Sequence, residues 1–168
     1  MCLKAIYNFF TQPRSKEAEI PPIIYKVEPA PTQAPDSRPL IRVPVGWEYV
    51  YNIINAAFPA APHIYLSDNS YELCSKADYQ WFLANDPTDK FTYIVEKFDC
   101  DDFTYRLTGQ LSVPGWSAIA DGTIWTEAHA FKFFIDEAGK LWFVEPQTDA
   151  IFDTWQPYFG SEIQFIGM

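Results

Sequence analysis

Residues 98–111 read Phe-Asp-Cys-Asp-Asp-Phe-Thr-Tyr-Arg-Leu-Thr-Gly-Gln-Leu, and the apolar side chains Phe103, Leu107 and Leu111 recur at every fourth position. That spacing puts them on one face of an α-helix. Asp99, Asp101 and Asp102 crowd the first turn, where the helix dipole favours negative charge, so the helix is expected to begin near Cys100. Cys100 precedes Phe103 and Leu107 by three and seven residues, which places its thiol on the inward face at the helix N-terminus.

Downstream the period changes from helical to alternating. Residues 117–125, 128–135 and 141–145 read as strands, and Asp136-Glu-Ala-Gly139 reads as a turn whose Gly accepts a positive φ. The last two strands then form a β-hairpin with a three-residue loop, 137–139. Antiparallel pairing across that loop puts His129, Phe131 and Phe133 on the same face as Leu141, Phe143 and Glu145. His129 and Glu145 become cross-strand neighbours.

Upstream, Trp47, Val50, Tyr51, Ile54 and Phe58 recur at helical spacing until Pro59 and Pro62 interrupt them. A short strand at 64–66 and a helix around 77–84 are expected next. Between residues 11 and 45, eight prolines remove amide donors and fix φ, which excludes helix and central strand. The chain therefore divides into an N-terminal segment with a Pro-rich arm, 1–45, and a folded domain, 46–168. Past Asp149 the tail is aromatic and has no clear period.

Composition narrows the function. The chain has 168 residues, 48% of them hydrophobic, with 14 Phe, 10 Tyr and 6 Trp, enough apolar area for one core. A net charge of -10 argues against a nucleic-acid partner, because phosphate binding rests on clustered Lys and Arg. Cys2, Cys74 and Cys100 make neither a disulfide framework nor a zinc ribbon. With no long apolar run and no signal peptide, a soluble, cytoplasmic protein is expected. His63 and Cys74 read as structural.

A thiol becomes a nucleophile when it is held as thiolate, and a helix N-terminus with an imidazole is the usual means. Cys100 has the helix, His129 is the candidate base and Glu145 the residue that orients it, in the chain order Cys, His, acid. Two apolar faces each ending in a polar, reactive group is a conflict with core patterning that marks a functional site.

The motifs EKFDCDDF, EAHAF and WFVEPQTD, between about residues 98 and 147, resemble the papain-like C-terminal cysteine protease domain of fungal agglutinins of the Marasmius type, and of related small bacterial and phage proteins. The resemblance implies an α+β, papain-like or transglutaminase-like fold and a Cys100-His129-Glu145 triad. It also implies calcium dependence, with Asp101, Asp102 and Gln147 at the matching ligand positions. Two departures stand out. Those agglutinins carry a sugar-binding β-trefoil before this domain, whereas this chain has only the Pro-rich arm, so their glycan binding is not transferred. Papain-type enzymes also place a Gln about six residues before the nucleophile, where this chain has Ile94.

A cation is also expected on physical grounds. Asp99, Asp101 and Asp102 beside the thiol oppose its ionisation, and a hard divalent ion held by carboxylate oxygens offsets that repulsion. The expected activity is a calcium-dependent cysteine peptidase acting on a peptide or protein substrate, with a homodimer possible. The alternatives are a peptidoglycan amidase or transglutaminase using the same triad, and a non-catalytic interaction module, such as a virion or scaffold component, that keeps the fold.

Overall fold

The computed structural model describes residues 42–168; the Pro-rich arm up to residue 41 lies outside them. The described chain is α+β, with eight strands and three α-helices. Strand β1, Val43–Gly46, pairs antiparallel with β3, Ser70–Leu73, in a two-stranded ribbon, where Pro44 is tolerated because no further strand needs its missing amide. The extended stretch expected to end at 45 thus enters the domain as a strand.

Helix α1, Trp47–Ala57, buries Val50 and Ile54. It stops at Phe58, the residue before Pro59, which is disfavoured from helical geometry. Helix α2, Lys76–Asn85, starts at Ser75, whose hydroxyl accepts the Asp78 amide at 3.0 Å. It buries Tyr79, Phe82 and Leu83. Helix α3, Cys100–Leu111, begins where the aspartates predict. Asp99 and Asp102 form a reciprocal capping box, in which the Asp99 amide donates to Asp102 Oδ2 at 3.1 Å.

The main sheet has the order β2-β8-β4-β5-β6-β7, comprising β2 (Ile64–Tyr65), β4 (Asp121–Thr126), β5 (Ala130–Ile135), β6 (Leu141–Glu145), β7 (Ala150–Phe152) and β8 (Ile163–Gly167). All neighbours are antiparallel except β2 and β8. The β5–β6 hairpin has the expected register, with Ile135 opposite Leu141 and Phe133 opposite Phe143. Asp136 builds its loop by accepting the Ala138 and Lys140 amides at 3.0 and 2.8 Å, and Gly139 takes φ +78.

β5 is buried along its whole length because both of its faces are covered. Phe131, Phe133 and Ile135 join the core that contains Val50 and Ile54 of α1, while Phe134 packs with Tyr79, Leu107 and Val144 in a second core beneath α2 and α3. Tyr79 stacks on Phe134 with centroids 4.1 Å apart. Inside this second layer lies a charge. Lys132, 1% exposed, meets Asp121 Oδ1 at 2.6 Å and donates to Thr108 Oγ1 at 2.9 Å, and Tyr79 donates its hydroxyl to the other Asp121 oxygen.

Two strand expectations shift. Residues 117–118 are turn, the Ser117 amide bonding back to the Val113 carbonyl, and Ile119 makes only an isolated parallel bridge to Glu72 before β4 begins at Asp121. β5 starts at Ala130 because residues 126–129 close the β4–β5 hairpin, with the Thr126 amide on the His129 carbonyl at 2.9 Å.

Removing one member of the buried pair leaves an uncompensated charge. Lys132→Met is expected to lower the unfolding free energy by about 3–5 kcal/mol, and adding Asp121→Leu to recover part of the loss. Denaturant titration of both variants checks this; a double variant no more stable than Lys132→Met would show that the cost is not electrostatic.

Candidate functional site

The site sits where the N-terminus of α3 meets the end of the β5–β6 hairpin. Cys100 is the first residue of α3 and is half-buried. Its carbonyl accepts the Thr104 hydroxyl at 2.8 Å, one turn on. His129 lies just before β5, and Glu145 is the last residue of β6. The expected register brings the two together, with His129 Nε2 2.7 Å from Glu145 Oε2 and both side chains nearly buried, 11% and 7% exposed. The other carboxylate oxygen accepts the Gln147 amide at 3.3 Å. Cys100 hydrogen-bonds the same imidazole. With Nε2 taken by Glu145, Nδ1 is the nitrogen left for the thiol.

Aromatic rings hold the imidazole from other sides. Phe131 lies 5.6 Å away, Phe159 6.1 Å, and the edge of Tyr158 5.9 Å. Burial by itself pulls the imidazole pKa down. The hydrogen bonds to Cys100 and Glu145, and the electrostatic attraction of both, outweigh it and raise the value from 6.5 to about 9. The ring is therefore an imidazolium at neutral pH.

The acidic turn has two parts. Asp99 and Asp102 belong to the helix cap, and Asp99 Oδ2 also accepts the Glu96 amide at 3.2 Å. Asp101 is hydrogen-bonded to Asp99; that bond first, then burial and the charges of Asp99 and Asp102, raises its pKa from 3.8 to about 6. Ligand atoms of Asp99, Cys100 and Asp101 lie within 4.8 Å of one another. Gln147 is placed by its amide bond to Glu145.

Of the residues read as structural, His63 is exposed and Cys74 is fully buried. Burial first, then the charges of Asp121, Asp78 and Glu137, pushes the Cys74 thiol well up. The sequence reading missed Thr126, Tyr158 and Phe159. The last two approach His129 from a segment about thirty residues away, for which no local pattern exists; Thr126 alone had a local sign, a Thr three residues before the His.

Ile94 stands where papain-type enzymes carry a side-chain donor. Its side chain is 49% exposed and its amide donates to the Phe98 carbonyl at 2.8 Å. That position supplies no donor to a reacting carbonyl.

No protein-family model matches the chain, and no curated protein matches it. Solved structures do. One, a PSL1a-E64 complex, superposes with a TM-score of 0.64 at 20% identity, covering 74% of this chain and 51% of that one. Another, Polyporus squamosus lectin bound to the human-type influenza-binding epitope Neu5Acα2-6Galβ1-4GlcNAc, gives 0.61 at 21% identity, covering 74% and 49%. This chain spans about half the length of the structures it matches.

These neighbours share the fold, and they correct the expected activity. They are lectins, so the assignment to an agglutinin-type cysteine protease domain is withdrawn, and with it the hydrolase, the thiol protease and the phage relation. The physical reason for the error is that a helix N-terminus beside a His-Glu pair describes a polar site equally well whether or not bonds are cut there. The peptide substrate loses its support. Among the described residues no helix is long and apolar enough to cross a membrane.

A histidine whose folded pKa exceeds its unfolded one stabilises the protein fully below the unfolded value, about 6.5, and loses that contribution as pH rises through about 9. Unfolding free energy is expected to fall by on the order of 3 kcal/mol across that window. Denaturant titration against pH checks it; a His129→Gln variant showing the same decline would place its origin elsewhere.

Proposed function

We propose that this chain is a non-catalytic binding module that holds a small ligand at Cys100, His129 and Glu145, on a papain-like arrangement of a helix N-terminus against an antiparallel sheet. The observation that carries the reading is the nearly buried His129 ring, 2.7 Å from Glu145 and beside Cys100, a geometry that favours its charged form. A charged group taken out of water is costly to build and is well suited to meet a ligand that it orients. Beside it, Tyr158 is exposed, with its ring 5.9 Å from the imidazole. Few polar groups among aromatic surfaces is the composition of a small-molecule site. The lectin neighbours favour binding over hydrolysis, as does the lack of a donor at Ile94.

The ligands of the similar structures are E64 and a sialylated trisaccharide. We place E64 at the Cys100 cluster, because the Cys100 side chain is only half-buried beside the His129–Glu145 pair. Binding is read by calorimetry and intact mass. Wild type is expected to bind E64, and Cys100→Ala and His129→Gln to weaken binding about tenfold or more, the loss of roughly one charge-assisted hydrogen bond. Equal binding by wild type and both variants would contradict the site. Trisaccharide binding that both variants leave intact, with no E64 binding, would place the ligand site elsewhere.

We further propose that the acidic turn takes a calcium ion. The hydrogen-bonded Asp99 and Asp101 carboxylates need a shared proton or a cation between them, and hard oxygen donors suit calcium. When bound, the ion would supply positive charge beside Cys100. A raised carboxylate pKa means that stability is lost as pH rises from about 3.8 to about 6, and that the full cost of ionised Asp101 is present above that. Calcium should therefore raise the melting temperature at about pH 7.5, and less at about pH 5, where Asp101 keeps its proton. Asp101→Asn should abolish the response. No shift with millimolar calcium in wild type at the higher pH would remove the metal site.

A further inference from the structure

We propose that Thr126 is the positioning residue of this site, its hydroxyl tying the His129 backbone to the segment that covers the His129 ring. The proposal rests on the reading of Cys100, His129 and Glu145 as the ligand site.

Thr126 ends β4 and is buried, 6% exposed. Its Oγ1 accepts the His129 amide at 2.9 Å and the Ala128 amide at 3.2 Å, and so fixes the turn from which His129 projects. A hydroxyl has one proton, and the Phe159 carbonyl at 2.5 Å is the closer acceptor than the His129 carbonyl at 3.1 Å. The same oxygen thus holds both sides of the imidazole, the turn below it and the Pro157–Phe159 turn above it, which carries Tyr158 and Phe159.

The neighbouring side chain reinforces the tie. Glu127 accepts the Ser161 and Glu162 amides, each at 2.8 Å, and its own amide donates to the Glu162 carbonyl at 3.1 Å. Gly160, at φ +92, is required between them, since a Cβ there would lie 2.8 Å from Thr126 Oγ1 and 2.9 Å from Glu127 Oε2. Trp155 Nε1 donates to the Gly160 carbonyl at 2.8 Å. Phe159 is stacked 3.9 Å from Phe131, so the covering segment cannot move without disturbing the core. Freeing the hydroxyl tie allows the His129 turn to relax away from Cys100, and misplacement of a group by about 1 Å is enough to cost roughly a hundredfold in a preorganised site.

The test reads the rate of Cys100 alkylation by iodoacetamide at neutral pH, followed by peptide mapping to separate Cys100 from the other thiols. Wild type, Thr126→Val, Thr126→Ser and His129→Gln are compared at a temperature where each is folded. His129→Gln and Thr126→Val are expected to slow alkylation about tenfold or more, and Thr126→Ser, which keeps the hydroxyl, to stay within about twofold of wild type. Slow His129→Gln with an unchanged Thr126→Val overturns the positioning role and leaves the site reading standing. An unchanged His129→Gln overturns the site reading itself. If Thr126→Ser is as slow as Thr126→Val, the methyl and not the hydroxyl matters, and the proposal fails. Should Thr126→Val not fold, Gly160→Ala replaces it, because its new methyl presses on the same hydroxyl; the same slowing is expected, and a wild-type rate overturns the proposal.

Discussion

The cross-strand contact between His129 and Glu145 is the constraint on which the rest of the site depends. It exists because the β5–β6 hairpin turns on a three-residue loop, built by Asp136 and permitted by the positive φ of Gly139. A slip of one residue would invert every side chain of β6 and move Glu145 to the opposite face. The slip is prevented from both sides of the sheet, since Phe131 and Phe133 fit one core and Phe134 the other. Core packing thus sets the register, and the register sets the chemistry. Cys100 is then delivered by α3, whose buried Phe103, Leu107 and Leu111 fix its rotation and bring its N-terminus to the imidazole.

The same acidic residues serve the fold and the site. Asp99 caps α3 and holds the Glu96 amide, which fixes the chain just before Cys100, while Asp102 returns the cap through the Asp99 amide. Only Asp101 has no part in the capping box, and it is Asp101 whose carboxyl is pushed up. On the far side of the sheet lies the Lys132–Asp121 pair, so the imidazole just before β5 and the ammonium within it are each matched to a carboxylate on an adjacent strand.

Much of this was legible in the sequence, and the reasons are local. Helix α3 could be read from its period and its acidic first turn, α1 from its period and the prolines after it, and the hairpin from alternation and a turn motif. The pairing of His129 with Glu145 followed because a hairpin register depends on nearby residues alone. Less legible were β3, β7 and β8 and the strand order, since two- to five-residue strands carry little periodicity and their pairing is non-local. Residues 117–120 alternate like a strand, yet only Ile119 makes a bridge, to Glu72, because the turn after α3 carries Trp116 and Ile119 into the helix-side core. Thr126, Tyr158 and Phe159 escaped notice because their roles arise from contacts across the fold. The activity was misjudged for a different reason, that identical side chains at identical spacing serve binding and bond cleavage alike.

The central claim is that His129 is an imidazolium clamped by Glu145 inside a binding site. Nitrogen-15 spectra of the histidine ring, recorded between about pH 6 and 10, test it most directly. The account predicts a His129 ring doubly protonated at pH 7.5 that titrates near 9 in the wild type and falls toward the ordinary range in Glu145→Gln. A ring already neutral at pH 7.5, or one whose titration Glu145→Gln leaves unchanged, would contradict it.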